Sequence, residues 1–161
     1  MDLLWAPWRM SYIANVDKKD DGCVFCTKPS ENHDKKNLIL YRGKTCFIVM
    51  NLFPYNNGHL MVIPYTHTSD MLALDTETSS ELWSLLCKCK DALSKAFHPD
   101  GFNIGMNLGR PAGAGIDQHI HMHIVPRWNG DTNFFPVLGE TKVISQSLPE
   151  TFDALKVYFV D

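Results

Sequence analysis

No apolar run in this chain approaches the roughly 18–20 residues that a membrane span requires. The opening stretch, Met1 to Arg9, lacks the basic-then-apolar layout of a secretory signal. Positive charge is not in excess: 15 Lys and Arg against 18 Asp and Glu give a formal net charge of -3. That balance argues against a broad nucleic-acid surface, although it leaves room for a local basic pocket. Internal repeats and low-complexity linkers are absent. The five cysteines are an odd number, and without a secretory layout they favour reduced thiols over a disulfide framework. These absences point to a cytoplasmic protein with no membrane and no nucleic-acid partner. What remains is ordinary globular material, 45% hydrophobic and 20% charged. At 161 residues one domain is expected, large enough to bury roughly two-thirds of its unfolded surface.

Hydrophobic pattern and turn signals give the organisation. Residues 1–22 carry Trp5, Trp8 and Tyr12 and end in a charged run from Asp17 to Asp21; they read as an arm packing on the body or on a partner subunit. Residues 23–161 read as a single domain. The polar stretch from Ser30 to Lys36 is expected to be loop. Leu38 to Tyr41 and Cys46 to Met50 read as strands joined by a turn from Arg42 to Thr45. A turn cluster from Phe53 to Gly58 precedes a strand from His59 to Ile63, stopped by Pro64. Thr78 and Glu81 have capping-box spacing. The helix that follows has Leu82, Leu85, Leu86, Cys89, Ala92, Leu93 and Ala96 on one face, and Pro99 to Gly101 stops it. Phe102 to Met106 and His119 to Val125 are further strands, and Pro149 to Phe159 is a short C-terminal helix. The expectation is an α+β fold: an antiparallel sheet of about five strands with one long helix and helices on one face.

The chemistry concentrates in His119, His121 and His123, which alternate with Ile120, Met122 and Ile124. On a strand, period two puts all three imidazoles on one face, roughly 6.5–7 Å apart. Packing alone does not explain three titratable rings on one side of an apolar strand. Three readings are open at this point: a solvated edge face, a metal site of the carbonic-anhydrase kind, or a nucleophilic histidine held between two others. Upstream lie Gly105, Gly109, Gly113 and Gly115, a loop whose backbone N–H groups can approach an anion closely.

Together, the alternating histidines and the glycine loop feeding them resemble the histidine triad family of nucleotide hydrolases and transferases. The resemblance runs from about Cys23 to Phe134. It implies that His121 is the nucleophile, a neutral imidazole needing no deprotonation. His121 would form a nucleotidyl-histidine intermediate, its other ring nitrogen bonded to the carbonyl of His119. It also implies that His123 binds a phosphate oxygen or helps the leaving group depart, and that His59 joins the triad from an adjacent strand. Asn107 and the backbone around Gly113 and Gly115 are candidates for the α-phosphate, and Asn51 for the ribose hydroxyls. Arg127 is either a phosphate clamp or half of a surface ion pair. Trp128 either stacks on a base or seals the core edge.

Some triad enzymes carry glutamine or serine just before the last turn into the histidine strand, where this chain has Gly115, between Ala114 and Ile116. With the runs from Phe53 to Tyr65 and from Val125 to Phe134, this looks like the diadenosine tetraphosphate phosphorylase branch. There inorganic phosphate rather than water resolves the intermediate, giving ADP and ATP. The alternatives are a hydrolase using water on dinucleoside polyphosphates or nucleoside phosphoramidates, and a non-catalytic nucleotide-binding module. Cys23 and Cys26 have zinc-knuckle spacing but supply only half of a tetrahedral site. Zinc-containing relatives imply His67 and His119 as the other ligands of a structural zinc, with His33 a competitor. His98 reads as a histidine at a helix C-terminus. No organic cofactor is expected, and most relatives are homodimers.

Overall fold

The computed structural model describes residues 22–132 and 143–160; the aromatic arm and its charged run, up to residue 21, lie outside this range. Five strands form one antiparallel sheet: β1 (Ile39–Arg42), β2 (Cys46–Met50), β3 (Leu60–Pro64), β4 (Gly101–Gly105) and β5 (Met122–Arg127). Their spatial order is β1-β2-β3-β5-β4. Every residue of β2 and β3 is buried, as befits central strands covered on both faces. Period-two alternation sorts the side chains. Leu40, Ile48, Met50, Leu60, Val62 and Ile124 share a core with the long helix. Ile39, Phe47, Val49, Met61 and Ile63 share the other with Phe25.

Four helices accompany the sheet among the described residues: α1 (Val24–Ser30), α2 (Asp34–Asn37), α3 (Thr76–Phe97) and α4 (Leu148–Lys156). The α+β architecture, the long helix and the C-terminal helix match the expectation. Three details differ. First, α1 and α2 occupy part of what reads as loop, because runs of seven and four residues are too short to display helical periodicity. They also put Phe25 on the sheet face opposite α3, so helices cover both faces.

Second, α3 begins three residues earlier than its apparent capping box. Asp75 is the cap, its carboxylate accepting from the Thr78 N–H at 2.7 Å. Glu81 instead reaches across to the β1–β2 turn, accepting from the backbone N–H groups of Lys44 and Cys46 and from the Thr45 hydroxyl. The capping box is at α4, where Ser147 and Glu150 reciprocate. Third, the regular strand β5 starts at Met122 rather than His119. The segment before it follows a different partner: the Ile120 N–H donates to the Thr68 carbonyl at 2.8 Å. At the far end of α3, His98 is the cap in left-handed conformation (φ 48°).

Gly58 fixes how the turn before β3 sits on α3. Its φ is +72°, and a Cβ there would lie 3.0 Å from Leu93 Cδ2 and 3.3 Å from Phe97. Only glycine meets both conditions.

Candidate active site

The register sets the site's frame. His123 on β5 lies between Met61 of β3 and Gly105 of β4, so the glycine-rich loop departs just after the residue opposite it. His59 immediately precedes β3. The rings of His121 and His123 meet edge-on with centroids 4.8 Å apart, and those of His59 and His123 are 5.0 Å apart. Phe25 of α1 covers His121 at 5.1 Å. All three imidazoles are buried.

The hydrogen-bond network assigns their tautomers. His121 Nδ1 is 2.9 Å from the His119 carbonyl. A carbonyl only accepts, so Nδ1 carries the proton and Nε2 the lone pair. For His59 the fixed point is a backbone amide: the Tyr55 N–H donates to His59 Nδ1 at 3.0 Å. His59 Nε2 therefore holds its proton and donates to His123 Nδ1 at 2.9 Å. His123 Nε2 is then a donor, and this buried atom makes no hydrogen bond among the described residues. A lone pair on His121 and an unspent N–H on His123 thus sit on adjacent rings.

Burial also keeps these rings neutral. It pushes His59 down to about 3, with the neighbouring His123 and His121 acting in the same direction. His123 is pushed down to about 4, chiefly by burial and then by His121. His121 is lowered by burial, opposed by its bond to the His119 carbonyl. At neutral pH the site presents uncharged imidazoles, one able to act as a nucleophile and one as a hydrogen-bond donor.

His119 departs from the simple strand picture, because its ring belongs to a second cluster. Its Nε2–H donates to the Pro64 carbonyl at 2.8 Å, leaving the Nδ1 lone pair 3.3 Å from Cys23 Sγ, 3.6 Å from Cys26 Sγ and 3.3 Å from His67 Nδ1. His67 Nδ1 is 3.4 Å from Cys26 Sγ. All four ligand atoms lie within 4.8 Å of one another. A tetrahedral ion with Zn–S of about 2.3 Å and Zn–N of about 2.05 Å has S–N edges of about 3.6 Å and N–N edges of about 3.3 Å. The cluster fits that geometry, and the Pro64 carbonyl fixes the imidazole tautomer as an outer partner of a ligand does. His33 is outside the cluster, capping α2 from an exposed position. Backbone joins the two clusters, since the residue whose ring enters one supplies the carbonyl that orients His121 in the other.

The remaining candidates are placed as follows. Asn51 immediately follows β2; its Oδ1 accepts from the Phe53 N–H, and its Nδ2 is 3.3 Å from His59 Nδ1. Asn107 lies in the loop, its Nδ2 3.5 Å from the Gly113 carbonyl, and Gly113 adopts φ +92°. Gly115 is exposed in the same loop, which an ion pair between Arg110 and Asp117 braces. Arg127 forms an ion pair with Asp131 through two nitrogens and also bonds Asn103, so the ion-pair reading holds for it. Trp128 Nε1 donates to the Phe97 carbonyl, sealing the end of α3. Two contributors escaped the sequence reading. The Tyr55 amide has no signature in sequence. Phe25 was visible only as an apolar residue inside the cysteine pair.

A buried set of neutral histidines, one with a free lone pair and one with an unspent N–H, lies beside a glycine-rich loop, a pairing of nucleophile and donor. A family model for the HIT domain matches residues 32–130. A Mycobacterium tuberculosis protein named AP-4-A phosphorylase is 40% identical over 154 residues, 92% of this chain and 79% of that protein. The adenosine 5'-monophosphoramidase of Schizosaccharomyces pombe is 34% identical over 107 residues, 66% of this chain and 75% of that protein. Among solved structures, a zinc-bound histidine triad family protein from Mycobacterium smegmatis superposes with a TM-score of 0.69 and 27% identity, covering 86% of this chain and 93% of that one. This chain belongs to the histidine triad (HIT) family of enzymes. Among the described residues, no helix is long and apolar enough to cross a membrane.

Proposed function

We propose that the chain cleaves dinucleoside polyphosphates such as diadenosine tetraphosphate through a nucleotidyl-His121 intermediate that inorganic phosphate resolves, giving ADP and ATP. The observation that carries this reading is the bond between His121 Nδ1 and the His119 carbonyl, which keeps the proton on Nδ1 and leaves the lone pair on Nε2. In the first step Nε2 bonds to the α-phosphorus as the bridging P–O bond breaks. The electron pair leaves on the polyphosphate oxygen, and the His123 Nε2–H donates a hydrogen bond to that oxygen as its charge develops. The adduct is an imidazolium that keeps its proton on Nδ1, hydrogen-bonded to the His119 carbonyl. In the second step an oxygen of phosphate attacks the same phosphorus and His121 departs neutral. The loop from Asn107 to Gly115 is the proposed cradle for the phosphate, with Asn51 beside the ribose.

The choice of phosphate as acceptor rests on the 40% identity to the M. tuberculosis AP-4-A phosphorylase. The match to a phosphoramidase supports the second reading, in which water resolves the same intermediate. Diadenosine tetraphosphate incubated with and without inorganic phosphate separates them. Phosphate-dependent ADP plus ATP is expected; AMP plus ATP regardless of phosphate sinks the phosphorylase reading. Nucleotide binding with no turnover and no adduct on His121 sinks both. We also propose that Cys23, Cys26, His67 and His119 hold a zinc ion, which when bound supplies a structural cross-link. β4 is an edge strand with Ile104 49% exposed, which supports pairing of two copies as a homodimer.

A further inference from the structure

The Tyr55 amide sets the proton order of His59 and His123, and the next residue holds that amide in place. Asn56 is buried, at 8% exposed, and its side-chain amide donates to the Pro126 carbonyl at 3.1 Å and to Asp131 Oδ2 at 2.7 Å. Asp131 also receives Arg127 and the Trp128 N–H, so its carboxylate is a fixed anchor. The carbonyl of Asn56 accepts the His59 N–H at 3.2 Å. One residue is thus bonded both to the end of β5, three positions past His123, and to the backbone of His59. Those are the two elements whose rings must meet. On the far side Asn57 is tied to Gln146 and to Thr151 of α4, which closes the turn from both directions.

We infer that Asn56 is a positioning residue for catalysis, clamping the Tyr55–His59 turn to β5 so that the Tyr55 N–H stays on His59 Nδ1 and the donor proton stays on His123 Nε2. The inference rests on the proposed role of His123 toward the leaving oxygen. Without the clamp, His59 Nδ1 loses its fixed donor and can itself carry the proton. His59 Nε2 then offers a lone pair to His123, whose proton moves to Nδ1. His123 Nε2 is left as a lone pair facing an oxygen that gains negative charge, which is repulsive where attraction is needed. Polar side chains that merely stabilise a turn do not require this pairing. Asn56 combines it with burial and with bonds to the catalytic strand.

Two measurements on Asn56→Ala test this. Long-range nitrogen–proton NMR of the imidazoles should show protonated Nε2 and bare Nδ1 at His59 and His123 in the wild type, and mixed tautomers in the variant. Single-turnover rates with aryl esters of AMP should fall about tenfold to a hundredfold for the least acidic phenol, the scale of one lost donor or less. For the most acidic phenol the loss should be under about threefold, because little charge there needs a donor. An unchanged tautomer pattern, or an equal rate loss along the whole ester series, overturns the inference. Should Asn56→Ala not fold, Asp131→Asn weakens the same anchor and is judged by the same two criteria. The NMR measurement needs no substrate, so failure of the clamp is distinguishable from failure of the proposed reaction.

Discussion

His59 Nε2 stands 2.9 Å from His123 Nδ1, and the direction of that bond is dictated from outside the pair by the amide of Tyr55. A donor that cannot change its protonation state thereby decides which nitrogen of a ring two bonds away carries hydrogen. His59→Phe should keep the packing and lose the orientation. The expected result is a fall in kcat of about a hundredfold, the lower end for loss of a positioned acid–base or donor group. KM should change little, and the adduct on His121 should still form. His59→Gln, whose amide can donate to His123 Nδ1, should recover part of the rate. Equal activity of wild type and His59→Phe would remove the relay from the mechanism.

The same burial makes stability depend on pH. In the fold His59 and His123 are held down to about 3 and about 4, whereas in the unfolded chain each titrates near about 6.5. Between those values the unfolded state binds the extra protons, so stability is fully present above about 6.5 and is lost as pH falls. Each such group contributes a slope of about 1.4 kcal/mol per pH unit inside its window. Carboxylates held low, such as Asp75 and Glu81, act in the same direction but below about 4.5, which leaves pH 5 to 6 to the histidines. Urea unfolding across that interval should show a shallower slope for His59→Gln than for wild type. Identical slopes would mean that His59 is charged in the fold.

Which features were legible in the sequence depends on the range of the interaction that fixes them. The strands at 46–50 and 60–64 and the apolar face of α3 follow from local periodicity. So does the alternation of three histidines, although only His123 of the three lies within the regular strand. The start of α3 was misplaced, because Thr78 and Glu81 have capping-box spacing while the cap is Asp75. What decides it is distant: Glu81 serves the β1–β2 turn, and a residue so engaged cannot also cap its own helix. Cys23 and Cys26 announced half of the proposed metal site, while the other half, His67 and His119, is 41 and more than 90 residues away and needed a family resemblance to be named. Arg127 was undecided between phosphate and carboxylate until the fold put Asp131 against its guanidinium. The Tyr55 amide was invisible, because every residue but proline carries one.

Metal content offers a separate check. One equivalent of zinc per chain is expected by elemental analysis, falling toward zero in Cys26→Ser. With metal at about a thousand times its dissociation constant, the bound state gains about 4 kcal/mol. For a chain of this size that corresponds to a loss of roughly 8–16 °C in Tm on chelation. The Cys26→Ser protein should show no further loss when chelator is added. A chelator-insensitive wild type with no bound metal would mean the four ligands are simply packed together.

Gly58 joins fold to chemistry, since it lies beside His59 and against α3. Its φ of +72° costs a non-glycine residue about 1–2 kcal/mol, and an added methyl meets Leu93 Cδ2 at 3.0 Å. Leu93 is fully buried and has little room to yield, so overpacking adds a further roughly 1–3 kcal/mol. Gly58→Ala should therefore lower stability by about 2–5 kcal/mol in denaturant titration. The pairing of Leu93→Ala with Gly58→Ala separates the two contributions: measured against Leu93→Ala alone, which carries its own cavity cost, the double variant should recover the steric part of the Gly58→Ala loss and none of the backbone part. Full recovery would show that the left-handed conformation is not needed at this turn, and no recovery would show that Leu93 is not the obstacle.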